Sequence, residues 1–181
     1  LPRGNPYSSD DDHLAVDRAR RYLNSFTGYE RVYNFMIGEA SAKNKKVNFN
    51  ADFPGTATVV LNGKDVPGAF TKEGWATMQD SFKNADRFFG GDRWVLGLYA
   101  QLRPDMAKLE ADLRARYTTD YMKRRQEYVK ISRVVPYANL KDASEKLNQQ
   151  TSNQSPLLAL LWVATRHTSV DNPDVKQSFD A

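Results

Sequence analysis

The chain has 181 residues, of which 40% are hydrophobic and 12% aromatic, so it can bury the core of one domain or of two small ones. Its net charge is only +4, and basic and acidic residues alternate along it, which argues against nucleic acid as a partner. It contains no cysteine, which excludes disulfides, zinc–thiolate sites and cysteine nucleophiles, and no apolar run reaches the roughly 20 residues of a transmembrane helix.

The N-terminal part is predicted to be a tail followed by a long helix. Residues 1–9 are rich in Pro, Gly and Ser and are expected to form the tail, and a helical domain is expected over residues 10–168. Apolar residues recur at three- and four-residue spacing from about 11 to 39, which predicts the first helix, with Gly28 as a point where it kinks or splits. Residues 40–46 are polar and basic and are predicted to form a loop.

An irregular insertion with some β structure is predicted around residues 47–70, where Pro and Gly interrupt the helical pattern. Residues 57–61 are predicted to form a short strand, and the Asn-Gly pair that follows indicates a turn, so we expect a small hairpin or an extended segment lying on the helices. Thr71 then provides an N-cap for a helix that carries Trp75.

The longest predicted helix runs from about 104 to 134 and follows an apolar cluster at residues 94–98. Residues 90–103 are a candidate division between two sub-bundles. One side of the long helix is apolar, and its cations lie mostly on the other sides. We favour the interpretation that these cations form a solvated face; the alternative is a patch along 114–130 that binds anionic lipid or nucleic acid. The cations are Arg114, Arg116, Lys123, Arg124 and Arg125. A shorter helix is predicted after Pro136.

Residues 155–168 combine a helix-start signal with an almost wholly apolar helix. Ser155 can cap the first N–H groups, and Pro156 fits the first helical position. No charge follows until Arg166, and a helix that is apolar on nearly every side is expected to be covered by protein. We therefore predict that this helix is the central, buried post of a mainly α-helical bundle, with Trp162 in the core. Residues 169–181 are predicted to be an exit linker.

Motifs for catalysis, cofactor binding and metal binding are missing from the sequence, so we predict none of these sites. His13 and His167 are far apart, and neither has the i,i+4 partner of a helical metal site. The competing interpretation is an enzyme acting on cell-wall glycan, which needs two carboxylates about 5–10 Å apart across a cleft. Nothing singles out such a pair among the candidates Glu30, Glu39, Glu73, Asp80, Glu110 and Asp120.

Large aromatic residues and one proline are the candidate structural or interface anchors. Tryptophan is typical both of cores and of binding hot spots. For Trp75 and Trp94 a core position is favoured, and a position on a partner surface is the alternative. The predicted anchors are Trp75, Trp94, Tyr117, Tyr121, Pro156 and Trp162.

Three segments carry a family resemblance. Residues 66–75 read VPGAFTKEGW, residues 94–97 read WVLG and are followed by LRARYTTDY at 113–121, and residues 155–168 read SPLLALLWVATRHT. In order and approximate spacing they are similar to elements of the IcmF/TssM family, in its ImcF-related periplasmic region. The resemblance covers roughly residues 12–168. That family usually has Trp four residues after the second Tyr of the middle segment, where this chain has Arg125.

The resemblance implies a non-enzymatic piece of a type VI secretion membrane-complex protein, located in the periplasm. Such proteins assemble with a TssJ-like lipoprotein and a TssL-like inner-membrane protein and associate with themselves. On this interpretation the chain is a helical scaffold or strut, and contact with the membrane is made only by segments outside it.

Overall fold

The computed structural model describes residues 28–85, 87–90 and 106–179, and this part of the chain is mainly helical. The helices are α1 (Gly28–Lys43), α2 (Phe49–Asp52), α3 (Lys72–Lys83), α4 (Arg87–Gly90), α5 (Met106–Ile131), α6 (Leu140–Thr151), α7 (Pro156–Thr168) and α8 (Pro173–Gln177). Short 3-10 turns lie at Thr56–Thr58 and Gly68–Phe70, and two strands are β1 (Val60–Leu61) and β2 (Arg133–Val134). The predicted mainly α fold with a small β insertion is therefore confirmed.

Two helices begin at the caps that the sequence predicts. The Thr71 hydroxyl accepts a hydrogen bond from the backbone N–H of Gly74 at 3.0 Å, and α3 follows. The Ser155 hydroxyl accepts from the N–H of Leu158 at 3.4 Å, with Pro156 in the first turn of α7. These side chains satisfy N–H groups that have no partner inside the helix, which fixes where each helix starts.

The C-terminal end of α1 lies beyond the predicted one. The helix continues past residue 39 to Lys43, so the predicted loop at 40–46 is wrong for its first four residues. Ala40 is completely buried, and the Asn44 side chain donates to the Ala40 carbonyl at 2.8 Å. Burial of this last turn against the rest of the protein outweighs the polar character of the sequence around it.

The β insertion pairs with a distant part of the chain. Strand β1 lies antiparallel to β2, with Val60 opposite Val134, so β1 does not form the local hairpin that was one of the two predicted arrangements. Asn62 is almost completely buried and donates to the Tyr128 carbonyl at 3.0 Å and to the Ser132 hydroxyl at 2.8 Å. These bonds fasten the insertion to the C-terminal end of α5.

Helix α5 provides the main core stripe. Leu113, Tyr117, Tyr121 and Tyr128 recur at three- and four-residue multiples on one face, and all four are completely buried. They belong to one hydrophobic cluster with residues of α1, α3 and α7. The longest helix, and not the most apolar one, is thus the element around which the described core is built.

The prediction that α7 is a buried central post is wrong for one of its faces. Pro156, Leu160 and Val163 are buried against the core, while Leu158 and Leu161 are 58% and 60% exposed. Trp162, predicted to lie in the core, is 54% exposed. The helix is therefore a peripheral one that carries apolar residues on both its inner and its outer face.

The residues after α7 also differ from the prediction. Val170 is buried, Val175 in α8 is completely buried, and both belong to the core cluster. Asn172 caps α8 by accepting from the N–H groups of Asp174 and Val175. Where an exit linker is predicted, the structure therefore has the short helix α8 and three side chains in contact with the core, Val170, Val175 and Phe179.

Several predictions fall on residues outside the described ranges. These are the tail at 1–9, the first part of the long N-terminal helix, the cluster at 94–98 with Trp94, and most of the candidate division at 90–103. Among the helices within 28–85, 87–90 and 106–179, none combines the length and the apolar character that crossing a bilayer requires.

Candidate interaction site

Three side chains of α5 join the two other segments that carry the family resemblance, residues 66–75 and 155–168. Tyr117, Tyr121 and Arg125 are spaced by one helical turn, so they project on one face. The Tyr117 hydroxyl donates to the Ala69 carbonyl at 2.5 Å, the Tyr121 hydroxyl donates to the His167 carbonyl, and the Arg125 guanidinium donates to the Phe70 carbonyl. We call the region where these segments meet the junction.

Aromatic packing gives the junction its core. The Trp75 ring lies 5.3 Å from Tyr117 and 4.9 Å from Tyr121 between ring centroids, the latter edge to face. Phe70 stacks on Tyr117 at 5.7 Å. Burial raises the pKa of Tyr121 to about 12, so its hydroxyl stays a protonated donor. Trp75, Tyr117 and Tyr121 are therefore buried together inside the protein.

Two glycines of residues 66–75 are required by close backbone approaches. A Cβ atom on Gly68 would lie 1.9 Å from the carbonyl oxygen of Asn44, at the end of α1. A Cβ atom on Gly74 would lie 2.0 Å from the carbonyl oxygen of Gly68. Because backbone atoms cannot move aside as a flexible side chain can, only glycine fits at these two positions.

Arg125 is a buried cation without a carboxylate partner in the described part of the chain. It is 1% exposed, and its Nε and Nη1 atoms are buried without a hydrogen-bond partner there, as is the hydroxyl of Tyr128. Burial lowers the pKa of the guanidinium, and the guanidinium lies 5.6 Å from the Tyr121 ring centroid. The sequence signal that could have located it is its place in the apolar stripe, four residues after Tyr121.

His167 lies on the inner face of α7 and is neutral. Its Nδ1 accepts a hydrogen bond from the backbone N–H of Lys72 at 3.1 Å, at the start of α3. Burial, and then the charge of Arg125, lower its pKa to about 4. This histidine is a structural acceptor that joins α7 to α3. Among the described residues, no group of side chains is arranged to hold a metal ion.

The outer face of α7 presents a fixed aromatic side chain to solvent. The Trp162 ring meets Phe53 edge to face, 6.2 Å between centroids, and the Arg166 guanidinium lies 5.3 Å above the Trp162 ring. Arg166 is held in turn by the Glu73 carboxylate at 3.0 Å. Leu158 and Leu161 continue this surface, and we call these two residues together with Trp162 the α7 outer face.

A cleft of about 340 Å³ lies beside Trp162. It runs between the segment after α1, helix α2 and helix α7. Its walls include Lys43, Lys45, Lys46, Phe53, Trp162 and Arg166. A second cavity of about 560 Å³ lies at the end of α7, where its two charged residues, Asp171 and Lys176, pair with each other at 3.6 Å.

The carboxylates considered for glycan cleavage are mostly held by the protein itself. The pKa of Glu39 is lowered by its hydrogen bond from Lys43. Burial alone would raise the pKa of Glu73, but hydrogen bonds from its own backbone N–H and from Arg166 lower it. Every carboxyl pKa that shifts among the described residues shifts downward, whereas an acid catalyst needs a raised one. The pairs are Glu39 with Lys43 and Arg87, Glu73 with Arg166, Glu110 with Arg114, and Asp120 with Tyr33.

The cations of α5 are likewise engaged within the protein. Four of the five considered for binding anionic lipid or nucleic acid contact a carboxylate or an aromatic ring of the chain. The contacts are Arg114 with Glu110, Arg116 with Tyr33, Arg124 with Phe70, and Arg125 with Tyr121. Arg114, Arg116 and Arg124 are also half-buried and Arg125 is buried, so these cations do not form an exposed row for a polyanion.

The predicted anchors therefore separate into two groups. Trp75, Tyr117, Tyr121 and Pro156 are buried and hold the junction or the start of α7. Trp162 is exposed and contributes to the α7 outer face. Trp94 lies outside the described residues. Sequence reasoning placed Arg125 among the solvated cations of α5, whereas the structure buries it in the junction. It assigned no role to Phe53, which the structure places beside Trp162.

Comparison with known proteins agrees with the resemblance. The family model described as IcmF-related, intracellular multiplication and human macrophage-killing, matches residues 2–169, and the chain belongs to this family. Over 186 residues it is 24% identical to the type VI secretion system component TssM1 of Pseudomonas aeruginosa strain PAO1. That match covers 93% of this chain and 16% of the relative, so the chain spans about a sixth of that protein's length. No solved structure matches the chain.

Proposed function

We propose that this chain is a non-enzymatic segment of a type VI secretion membrane-complex protein that serves as a periplasmic scaffold through protein–protein contacts. The observation that carries the proposal is the α7 outer face. Three large apolar residues, Leu158, Leu161 and Trp162, are more than half exposed within two turns of one helix. An exposed cluster of this kind is typical of a protein-interaction surface.

The junction supports this role mechanically. Helix α7 is tied to α5 by the hydrogen bond from Tyr121 to the His167 carbonyl and to α3 by the bond from Lys72 to His167. The α7 outer face is thus presented by a helix whose inner face is fixed. A contact residue that is already held in place loses little conformational entropy on binding, which favours affinity.

The side-chain chemistry supports a role without catalysis. The pKa values of Glu39 and Glu73 are lowered, so both side chains are ionised at neutral pH and cannot serve as acid catalysts. The partners proposed from the family are a TssJ-like lipoprotein, a TssL-like inner-membrane protein and further copies of the full-length protein. No cofactor is assigned.

The test uses the full-length protein in its own cells. We expect Leu158→Asp with Leu161→Asp to abolish co-purification with the other membrane-complex subunits and secretion by the system. A matched control is Gln149→Asp, on the exposed side of the neighbouring helix α6. Unchanged co-purification in the double variant, with wild-type protein levels in the membrane, would contradict the proposal.

A further inference from the structure

We propose that the cleft beside Trp162 docks an acidic segment of a partner protein, which places an apolar side chain against Trp162 and Phe53. The inference rests on the proposed scaffold function and specifies the chemistry of one of its partners. The two aromatic rings form the apolar part of the cleft, and three lysines and one arginine form its cationic part.

Four cations and two carboxylates line the cleft, and each cation has a carboxylate partner. Lys45 pairs with Asp52 at 2.6 Å, and their side chains are 83% and 25% exposed. Lys46 pairs with Asp65 at 2.5 Å, and these side chains are 64% and 42% exposed. In these pairs, as in Lys43 with Glu39, the lysine is the outer member. A partner approaching from solvent therefore meets these three lysines before their carboxylate partners, whereas Arg166 and Glu73 are similarly exposed, at 47% and 50%.

The three lysines already bind carboxylates of the protein itself, the same group that an acidic peptide offers. Each lysine holds a single carboxylate, and exposed pairs of this kind contribute little stability, so a partner carboxylate can join or replace the internal one at small cost. Electrostatic complementarity of this sort contributes mainly to the association rate and to specificity.

A protein segment fits the cleft better than a phosphate polymer or a lipid headgroup. Asp52 and Glu73 line the same cleft as the cations. A dense row of phosphates would be brought against these two carboxylates and repelled. An acidic peptide can instead direct separate carboxylates to the lysines and leave an apolar side chain for Trp162 and Phe53.

The aromatic part of the cleft is held in place by its neighbours. Trp162 is restrained by Phe53 on one side and by Arg166 on the other, and Glu73 holds Arg166. Partly exposed tryptophan with fixed neighbours is typical of residues that dominate binding energy. The lysines around it supply the charged rim.

The experiment measures binding of labelled peptides to the 181-residue chain by fluorescence anisotropy at low salt. One probe intersperses glutamate and leucine with glycine and serine, and a second has glutamine in place of each glutamate. We expect the glutamate peptide to bind at least about tenfold more tightly than the glutamine peptide. Equal affinities, or no binding of either peptide, would overturn the inference.

Charge variants test the location of the site. We expect Lys45→Glu with Lys46→Glu to weaken the glutamate peptide at least about fivefold, and Trp162→Ala to weaken both peptides. Lys141→Glu on α6 with Lys130→Glu near the end of α5, two exposed lysines outside the cleft, changes the net charge by the same amount; it is the matched control and should leave the affinity unchanged. An equal loss in the control would show that only the net charge matters and would overturn the inference.

Two further experiments distinguish an acidic protein partner from a polyanion, and this inference from the proposed scaffold function. Phosphatidylglycerol vesicles or duplex DNA that displace the peptide and bind more tightly would assign the cleft to a polyanion and overturn the inference. In cells, the lysine variant is expected to reduce assembly. If it assembles normally while Leu158→Asp with Leu161→Asp does not, the scaffold function stands and the acidic partner does not.

Discussion

The guanidinium of Arg125 donates to the backbone carbonyl of Phe70 in a place where neither side chain reaches solvent. This bond joins the C-terminal third of the longest helix to the 3-10 turn that precedes α3. It is made by a charged group whose Nε and Nη1 atoms have no partner in the described part of the chain. The cost of removing that charge from water therefore opposes the gain from the bond.

From this balance we expect Arg125→Met to change the free energy of unfolding by no more than about 1 kcal/mol. Methionine fills much of the same space, and removing the buried charge offsets the loss of the Phe70 bond. Arg125→Ala, which leaves a cavity as well, should cost about 2–5 kcal/mol. Urea unfolding of both variants measures this. A loss above about 3 kcal/mol for Arg125→Met would show that the cation itself stabilises the junction.

The glycine contacts predict a large difference between two substitutions of the same kind. Gly68→Ala places a methyl group 1.9 Å from the Asn44 carbonyl oxygen, so the end of α1 must shift, and we expect a loss of about 3 kcal/mol or more. Gly38→Ala is the matched control, because its Cβ would meet nothing within 4 Å inside α1. There alanine should stabilise by about 0.5–1 kcal/mol. Similar thermal midpoints for the two variants would be inconsistent with the close packing described at residue 68.

The fold could be predicted from the sequence where local signals decide it. Thr71 and Ser155 were recognisable as caps because their side chains act within three residues, and the spacing of Tyr117 and Tyr121 marked the buried face of α5. The pairing of β1 with β2 was not predictable, because two-residue strands separated by a long stretch of chain carry no local signal.

The role of α7 could not be predicted, because composition does not distinguish an apolar face that meets the core from one that meets a partner. Leu158 and Leu161 have the same chemistry as Leu160, yet only Leu160 is buried. Arg125 shows the opposite case, since a charge is expected at the surface but its place in the apolar stripe puts it inside. Both differences lie at the junction or beside it.

The pKa of His167 predicts a pH dependence of stability. It is lowered to about 4 in the folded protein from about 6.5 in the unfolded chain, so the unfolded chain binds more protons between these values. The contribution is fully present above pH 6.5 and is lost as pH falls toward 4, by about 3 kcal/mol in total. Below pH 4 this group causes no further loss.

The measurement compares wild type with His167→Asn from pH 7.5 to pH 4, by urea unfolding. Asparagine retains an acceptor for the Lys72 N–H but does not titrate. The other histidine and the carboxylates are common to both proteins, so the difference between the two curves isolates His167. A difference that does not change with pH would mean that the imidazole is solvated in the folded protein.

The two described tryptophans predict losses of different size for the same substitution. Trp75 is 6% exposed and packs on two tyrosines, so Trp75→Ala should cost about 3–5 kcal/mol. Trp162 is 54% exposed, and Trp162→Ala should cost about 1 kcal/mol or less. Denaturant unfolding of both variants provides the comparison. Equal losses of stability would mean that Trp162 is buried in the core, as the sequence predicts, and would contradict its exposed position.

The central claim is that the α7 outer face is covered by another protein in the assembled system. Its most direct test is a photo-crosslinking amino acid at position 161 in the full-length protein, irradiated in secreting cells, with position 149 as the control. We expect position 161 to yield a discrete crosslinked band containing another membrane-complex subunit or a second copy, and position 149 to yield none. Secreting cells that give no crosslink from position 161 would contradict the account.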